Sequence, residues 1–167
     1  LHLGRGNGHF SMNIKKPVRV THTFQQRLNG TPVEVFPLLC PVREAEWVPG
    51  WDPRVVYTVS GRAESDCVFI TSHEGQDAIW TVTEFEPEKL RIGFLKVVSG
   101  LMVVRIRILL HGDRDGACLA DVSYTYTALS QSGQNVVRQM TTTEYARFMH
   151  GWEDALNEYL ANRFPED

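Results

Sequence analysis

From Ser130 to Phe164 apolar residues return with the period of an α-helix. At about 100° per residue, Val137, Tyr145, Phe148, Trp152, Ala155, Leu156 and Tyr159 fall on one stripe, with Met149 and Leu160 at its border. Gln139, Arg147, His150, Asp154, Asn157 and Glu158 take the opposite side, as in a helix with one buried face. Ser130 or Ser132 caps its start and Pro165 stops it. At ~1.5 Å per residue this helix would run roughly 45–50 Å, enough to cross a small domain. Thr141 and Glu144 interrupt the stripe in the first half, whereas the second half is almost purely apolar and aromatic. Two readings follow: variation at a solvent border, or a first half that covers a cavity and a second half that closes a solid core. Gly151 costs helix stability relative to Ala. It marks either a close approach to a sheet or a bend between the halves.

Upstream the period falls to that of strands. Pro17 to Leu28 is rich in β-branched residues and predicts a strand. Asn29-Gly30 turns the chain, and Thr31-Pro32 opens a helix with Thr as cap and Pro at the first helical position. Val33 to Leu39 is a short amphipathic piece, and Val42 to Trp47 a second short helix after the break at Pro41. Six more strands follow: Arg54 to Ser60, Cys67 to Ser72, Gln76 to Glu86, Lys89 to Val98, Leu101 to Leu110 and Cys118 to Leu129. The short connections predict antiparallel neighbours. Alternation puts Met102, Val104, Ile106, Ile108 and Leu110 on one face with Ala120, Val122, Tyr124 and Tyr126, and leaves Arg107 to pair with Asp121 across the wet face. An antiparallel sheet with one apolar face needs cover, which the C-terminal helix supplies. The expected fold is α+β: a curved antiparallel sheet of about seven strands around a long C-terminal helix, with two short helices after strand 1.

Composition narrows the functional classes. The 167 residues are 43% hydrophobic and 22% charged, suited to one core. A net charge of −3 offers no electrostatic reason to expect nucleic acid, and no apolar run reaches the ~18–20 residues a membrane-spanning helix needs. Cys40, Cys67 and Cys118 are far apart and odd in number, arguing against a disulfide framework and for a reducing, cytoplasmic setting. Residues 1–16 read as a disordered leader or tag remnant and 17–167 as a single domain. No GxSxG, phosphate-binding loop or GxGxxG after a strand is present, and no histidine pair has metal-ligand spacing, so neither cofactor nor metal is expected.

The run Val35-Phe36-Pro37-Leu38-Leu39-Cys40-Pro41-Val42-Arg43-Glu44, followed by Glu46-Trp47 and Gly50-Trp51, together with the element order, resembles the START/Bet v 1-like (SRPBCC) superfamily, in particular bacterial polyketide cyclase/dehydrase-like members. The resemblance covers Pro17 to about Phe164. It implies the helix-grip fold and a ligand cavity between the C-terminal helix, the inner sheet face and the short helices. Wall candidates are Trp47, Trp51, Trp80, Val82, Phe94, Val104, Ile106, Tyr124, Tyr126, Thr141, Tyr145 and Phe148; each taken singly is also what an ordinary core requires. Arg43, Glu44 and Glu46, in the short helix beside Trp47, are either the polar rim of that cavity, fixing a ligand carboxylate or carbonyl, or a solvated helix face with an internal ion pair.

Three functions follow from the resemblance. The first is binding of a small hydrophobic or aromatic ligand, lipid-, sterol- or polyketide-like. The second is a cofactor-free aromatase/cyclase-type enzyme, in which Glu144 serves as buried acid or base while Tyr124 or Tyr126 polarises a carbonyl. The third is a protein-interaction module like the co-chaperone relatives. A homodimer stays open.

Overall fold

The computed structural model describes residues 18–163. The leader read for residues 1–16 and the stop at Pro165 lie outside the described residues. Seven strands form one antiparallel sheet: β1 (Arg19–Leu28), β2 (Arg54–Tyr57), β3 (Val68–His73), β4 (Gln76–Glu86), β5 (Arg91–Val98), β6 (Met102–Gly112) and β7 (Cys118–Ala128). Their order across the sheet is β1-β7-β6-β5-β4-β3-β2, so the chain closes on itself by pairing its first strand with its last. A register shift between Val82 and Glu84 on β4, opposite β5, is a bulge of the kind that bends a sheet.

Between β1 and β2 lie α1 (Pro32–Val35), a 3-10 turn at Phe36–Leu39 and α2 (Pro41–Glu44). Thr31 and Glu34 cap α1 reciprocally: Thr31 Oγ1 accepts the Glu34 N–H at 3.3 Å and Glu34 Oε2 accepts the Thr31 N–H at 2.8 Å. The helices are short because Pro37 and Pro41 interrupt the run.

The C-terminal element differs from the single helix expected. It is two helices, α3 (Gln131–Gln139) and α4 (Thr142–Arg163), broken at Met140 and Thr141 rather than at Gly151. Ser130 caps α3 through the Gly133 N–H at 3.0 Å, and Thr141 Oγ1 accepts the Glu144 N–H at 3.2 Å, starting α4 anew. His22 Nε2 on β1 donates to the Met140 carbonyl at 2.7 Å and holds the break against the sheet. Within α4 the buried line is Tyr145, Met149, Leu156 and Leu160, so Met149 and Leu160 belong to its centre. Trp152, Ala155 and Tyr159 flank it half-buried, and Phe148 is 47% exposed. The expected stripe lies almost wholly within α4, so the shift is set by which face of α4 packs on the sheet.

Gly151 is exposed, and a Cβ there would meet nothing within 4 Å. Neither a close approach nor a bend requires it. Gly151→Ala is expected to stabilise the protein by about 1 kcal/mol, by removing backbone freedom from the unfolded chain. Chemical denaturation checks this; an unchanged or lower midpoint would show that the position needs glycine.

The strand faces are as alternation expects. Val104, Ile106, Ile108, Leu110, Ala120, Val122 and Tyr126 are buried, while Arg105, Arg107 and Asp121 face outward. The outer pair differs. Asp121 accepts from Gln25 Nε2 at 2.8 Å and bonds His111 Nε2 at 2.9 Å, and Arg107 lies opposite Ser123. The register of β6 on β7 sets Leu109, not Arg107, across from Asp121.

Candidate functional site

A cavity of about 430 Å³ opens beneath the α3–α4 break, between the inner sheet face, α2 and the loop after it. Strand alternation aims its floor: Phe94 and Lys96 from β5, Val104, Ile106 and Ile108 from β6, Tyr124 and Tyr126 from β7. Met140, Phe148 and Trp152 form the helical cover. Of the expected wall residues, Trp51, Trp80, Phe94, Val104, Ile106, Tyr124, Tyr126 and Phe148 line this space.

The rest lie elsewhere, each for a visible reason. Trp47 is core: its indole N–H donates to the Leu38 carbonyl at 3.0 Å and its ring packs on Trp152. Val82 is fully buried in the core and does not reach the lining. Tyr145 is buried with its hydroxyl spent on the Val122 carbonyl at 3.2 Å. Thr141 is exposed and occupied as a helix cap. Arg43 pairs with Glu46 at 3.1 Å outside the cavity, and Tyr159 joins that pair through Glu46. Glu144, expected as the buried acid, is exposed and bonded to Arg147 at 2.7 Å. It stands three residues after the Thr141 cap and lies roughly 100° around α4 from buried Tyr145.

Two carboxyl side chains line the cavity, Glu44 and Asp52. Glu44 shares a helical face with Trp47 and Val48, three and four residues on, and therefore points inward. Burial pushes its carboxyl up to about 8. At neutral pH it mostly holds its proton and is a donor that can exchange near physiological pH. Burial also raises the Tyr124 hydroxyl well above its ordinary range, and neighbouring Tyr126, Glu44 and Tyr145 add to the shift. Burial raises Tyr126 likewise. Both phenols thus remain hydrogen-bond donors at any working pH. Lys96 also faces the cavity, its ammonium 4.9 Å from the centre of the Trp80 ring, with burial lowering its pKa. None of the Glu44, Tyr124, Tyr126 or Lys96 side chains has a hydrogen-bond or salt-bridge partner among the described residues.

An aromatic wall completes the site. Phe69 stacks on Trp80 at 5.4 Å, Trp51 stands edge-on to Trp80 at 5.7 Å, and Phe94 meets both Phe69 and Trp80 edge-on. Two indoles are anchored: Trp51 donates to the Pro41 carbonyl at 2.7 Å and Trp80 to Thr71 Oγ1 at 2.9 Å. Their faces are therefore held in place rather than free to collapse into the space. The sequence offers Glu44, with Arg43 and Glu46, as either cavity rim or solvated helix face, and Glu44 lines the cavity, whereas Lys96 was missed altogether. The signal for Lys96 was present, since it occupies the inward phase of β5 between Phe94 and Val98, and Glu44 ends α2 half-buried.

A larger groove of about 710 Å³ lies on the outer sheet face. Arg91 pairs there with Glu84 and Gln25 with Asp121, and Phe24 is the one aromatic residue in its lining.

The sequence matches no family model and no curated protein sequence. Solved structures do match. Norcoclaurine synthase from Thalictrum flavum, in complex with dopamine and hydroxybenzaldehyde, superposes with a TM-score of 0.65 at 13% identity, over 99% of this chain and 98% of that one. Major latex-like protein 151 from Panax ginseng superposes at 0.63 with 14% identity, over 88% and 99%. Ara h 8.0201 gives 0.64 and 14%, over 86% and 99%. The shared seven-stranded curved sheet, the short helices after β1 and the C-terminal helix gripped by the sheet show that this chain has the Bet v 1-like helix-grip fold.

Proposed function

We propose that the protein belongs to the SRPBCC superfamily and binds a small hydrophobic or aromatic molecule, lipid-, sterol- or polyketide-like, in the cavity under α3 and α4. The observation that carries this reading is the fixed aromatic wall joined to polar groups with no protein partner. These polar groups face a space of ligand size. The norcoclaurine synthase of the same fold, which holds dopamine and hydroxybenzaldehyde, supports the reading by analogy. Membership of the polyketide cyclase/dehydrase-like branch and a cytoplasmic location belong to the same proposal, the latter favoured by three free thiols.

The test is fluorescence titration with N-phenyl-1-naphthylamine, a neutral aromatic probe. Saturable binding at one site per chain, displaced by sterol- or polyketide-like competitors, is the expected result. Absence of saturable binding would overturn the reading.

Glu44 beside Tyr124 favours a second reading, a cofactor-free cyclase/dehydratase-type enzyme. Glu44 would pass a proton near neutrality while Tyr124 or Tyr126 donates to a substrate carbonyl. Its test is turnover of polyketide-like substrates, lost in Glu44→Gln with neutral-probe binding retained. The interaction-module reading expects no cavity, and the cavity weighs against it.

A further inference from the structure

We propose that the cavity takes an aromatic acid, with Lys96 as the point that receives its anionic group. This rests on the ligand-binding reading above and adds the chemical class of the occupant. Lys96 stands at an inward position of β5, in line with Trp80 on β4 and Val104 on β6, where alternation otherwise supplies apolar side chains. A lysine there loses much of its hydration. The Trp80 face compensates one side of the ammonium. The remaining N–H donors have no acceptor among the described residues.

The cavity's own acid does not provide one. A paired Glu44 would be drawn below its ordinary range and a paired Lys96 above it. Both move the other way, each because of burial. Asp52 lines the same cavity and forms no salt bridge with Lys96 either. The site thus has a cationic end and, separately, a neutral donor end at Glu44 and Tyr124. Tyr126 sits in the same row as Lys96 two strands away, with Tyr124 one row on. At ~4.8 Å per strand Lys96 and Tyr126 are rooted roughly 10 Å apart, the span of a small fused-ring system. A neutral ligand filling the cavity would displace water from the ammonium without compensating it, whereas a carboxylate, sulfonate or phenolate would neutralise it.

Two probes sharing one anilinonaphthalene body separate the possibilities: 8-anilino-1-naphthalenesulfonate, which is anionic, and neutral N-phenyl-1-naphthylamine. Calorimetric titration of the natural chain at neutral pH is expected to favour the sulfonate by about 10- to 100-fold, the worth of one charge-assisted hydrogen bond. Lys96→Met should remove that preference by weakening the sulfonate far more than the neutral probe, and an unfolding transition close to that of the natural chain reports that the variant is folded. Lys96→Arg should retain much of it. Equal affinity of both probes for the natural chain overturns the anion proposal and leaves the cavity reading standing. So does a preference that survives Lys96→Met. Failure of both probes to bind overturns the two together. Should Lys96→Met not fold, Lys96→Gln and the comparison within the natural chain still decide.

Discussion

Glu44→Gln is expected to be more stable than the natural chain at neutral pH, by about 3 kcal/mol, and to lose most of its pH dependence between about 4.5 and 8. Glu44 has an ordinary carboxyl value of 4.5 in the unfolded chain and about 8 in the fold, with burial as the cause. Below the lower value both states hold the proton and no penalty arises. As pH rises through the window, unfolded chains ionise freely while the fold keeps its proton. Stability then falls by about 1.4 kcal/mol per pH unit and levels off once the folded carboxyl has also ionised. The amide has similar shape and never ionises, so its profile lacks this descent. Urea unfolding of both proteins from pH 5 to 9 measures the effect. Parallel profiles would show that Glu44 is solvated in the fold and would remove the acid from the site. A gain in stability on replacing a cavity group is itself informative, because stabilising substitutions concentrate where a fold has given up stability for activity.

Gly133→Ala should do the opposite and destabilise by roughly 3 kcal/mol or more. Gly133 is buried in the first turn of α3, and a Cβ there would collide with the backbone carbonyl of Leu101. That carbonyl cannot swing aside freely, because it accepts the Leu129 N–H at 2.9 Å. Over-packing against backbone costs about 1–3 kcal/mol even where a core can relax, and here the hairpin between β5 and β6 would have to part from α3. Met140 follows α3 and lines the cavity, so neutral-probe affinity should fall along with the unfolding midpoint. Unchanged stability would mean that α3 can lift without cost. The contrast with Gly151→Ala is diagnostic, since the two glycines differ only in what surrounds them.

Much of this architecture is written locally. Seven strands, their antiparallel order and the two short helices after β1 follow from alternation, turn residues and the Thr31-Pro32 and Pro41 signals, all of which act within a few residues. The inner faces of β6 and β7 were legible for the same reason, and they supply Val104, Ile106, Tyr124 and Tyr126 to the cavity. The resemblance carried by Val35 to Glu44 and by Trp47 and Trp51 pointed to the fold that the structure shares with Bet v 1-like proteins.

What failed was phase. One continuous wheel from Ser130 to Phe164 put Thr141 and Glu144 on or beside the stripe. The chain instead breaks at Met140, where the His22 side chain of β1 holds the carbonyl, and Thr141 starts a new helix. That bond joins residues 118 apart, so nothing in the local pattern announces it. Long-range placement likewise decided which aromatics are wall and which are core. Trp51 and Trp80 have their N–H groups bonded with ring faces left toward the cavity, whereas Trp47 and Tyr145 are packed in the interior. Lys96 and Glu44 stand between these cases. Local periodicity by itself aims each of them inward. Only the tertiary structure shows that they enter one cavity from different elements and stay unpaired there, because charge pairing depends on distance in space and not on spacing along the chain.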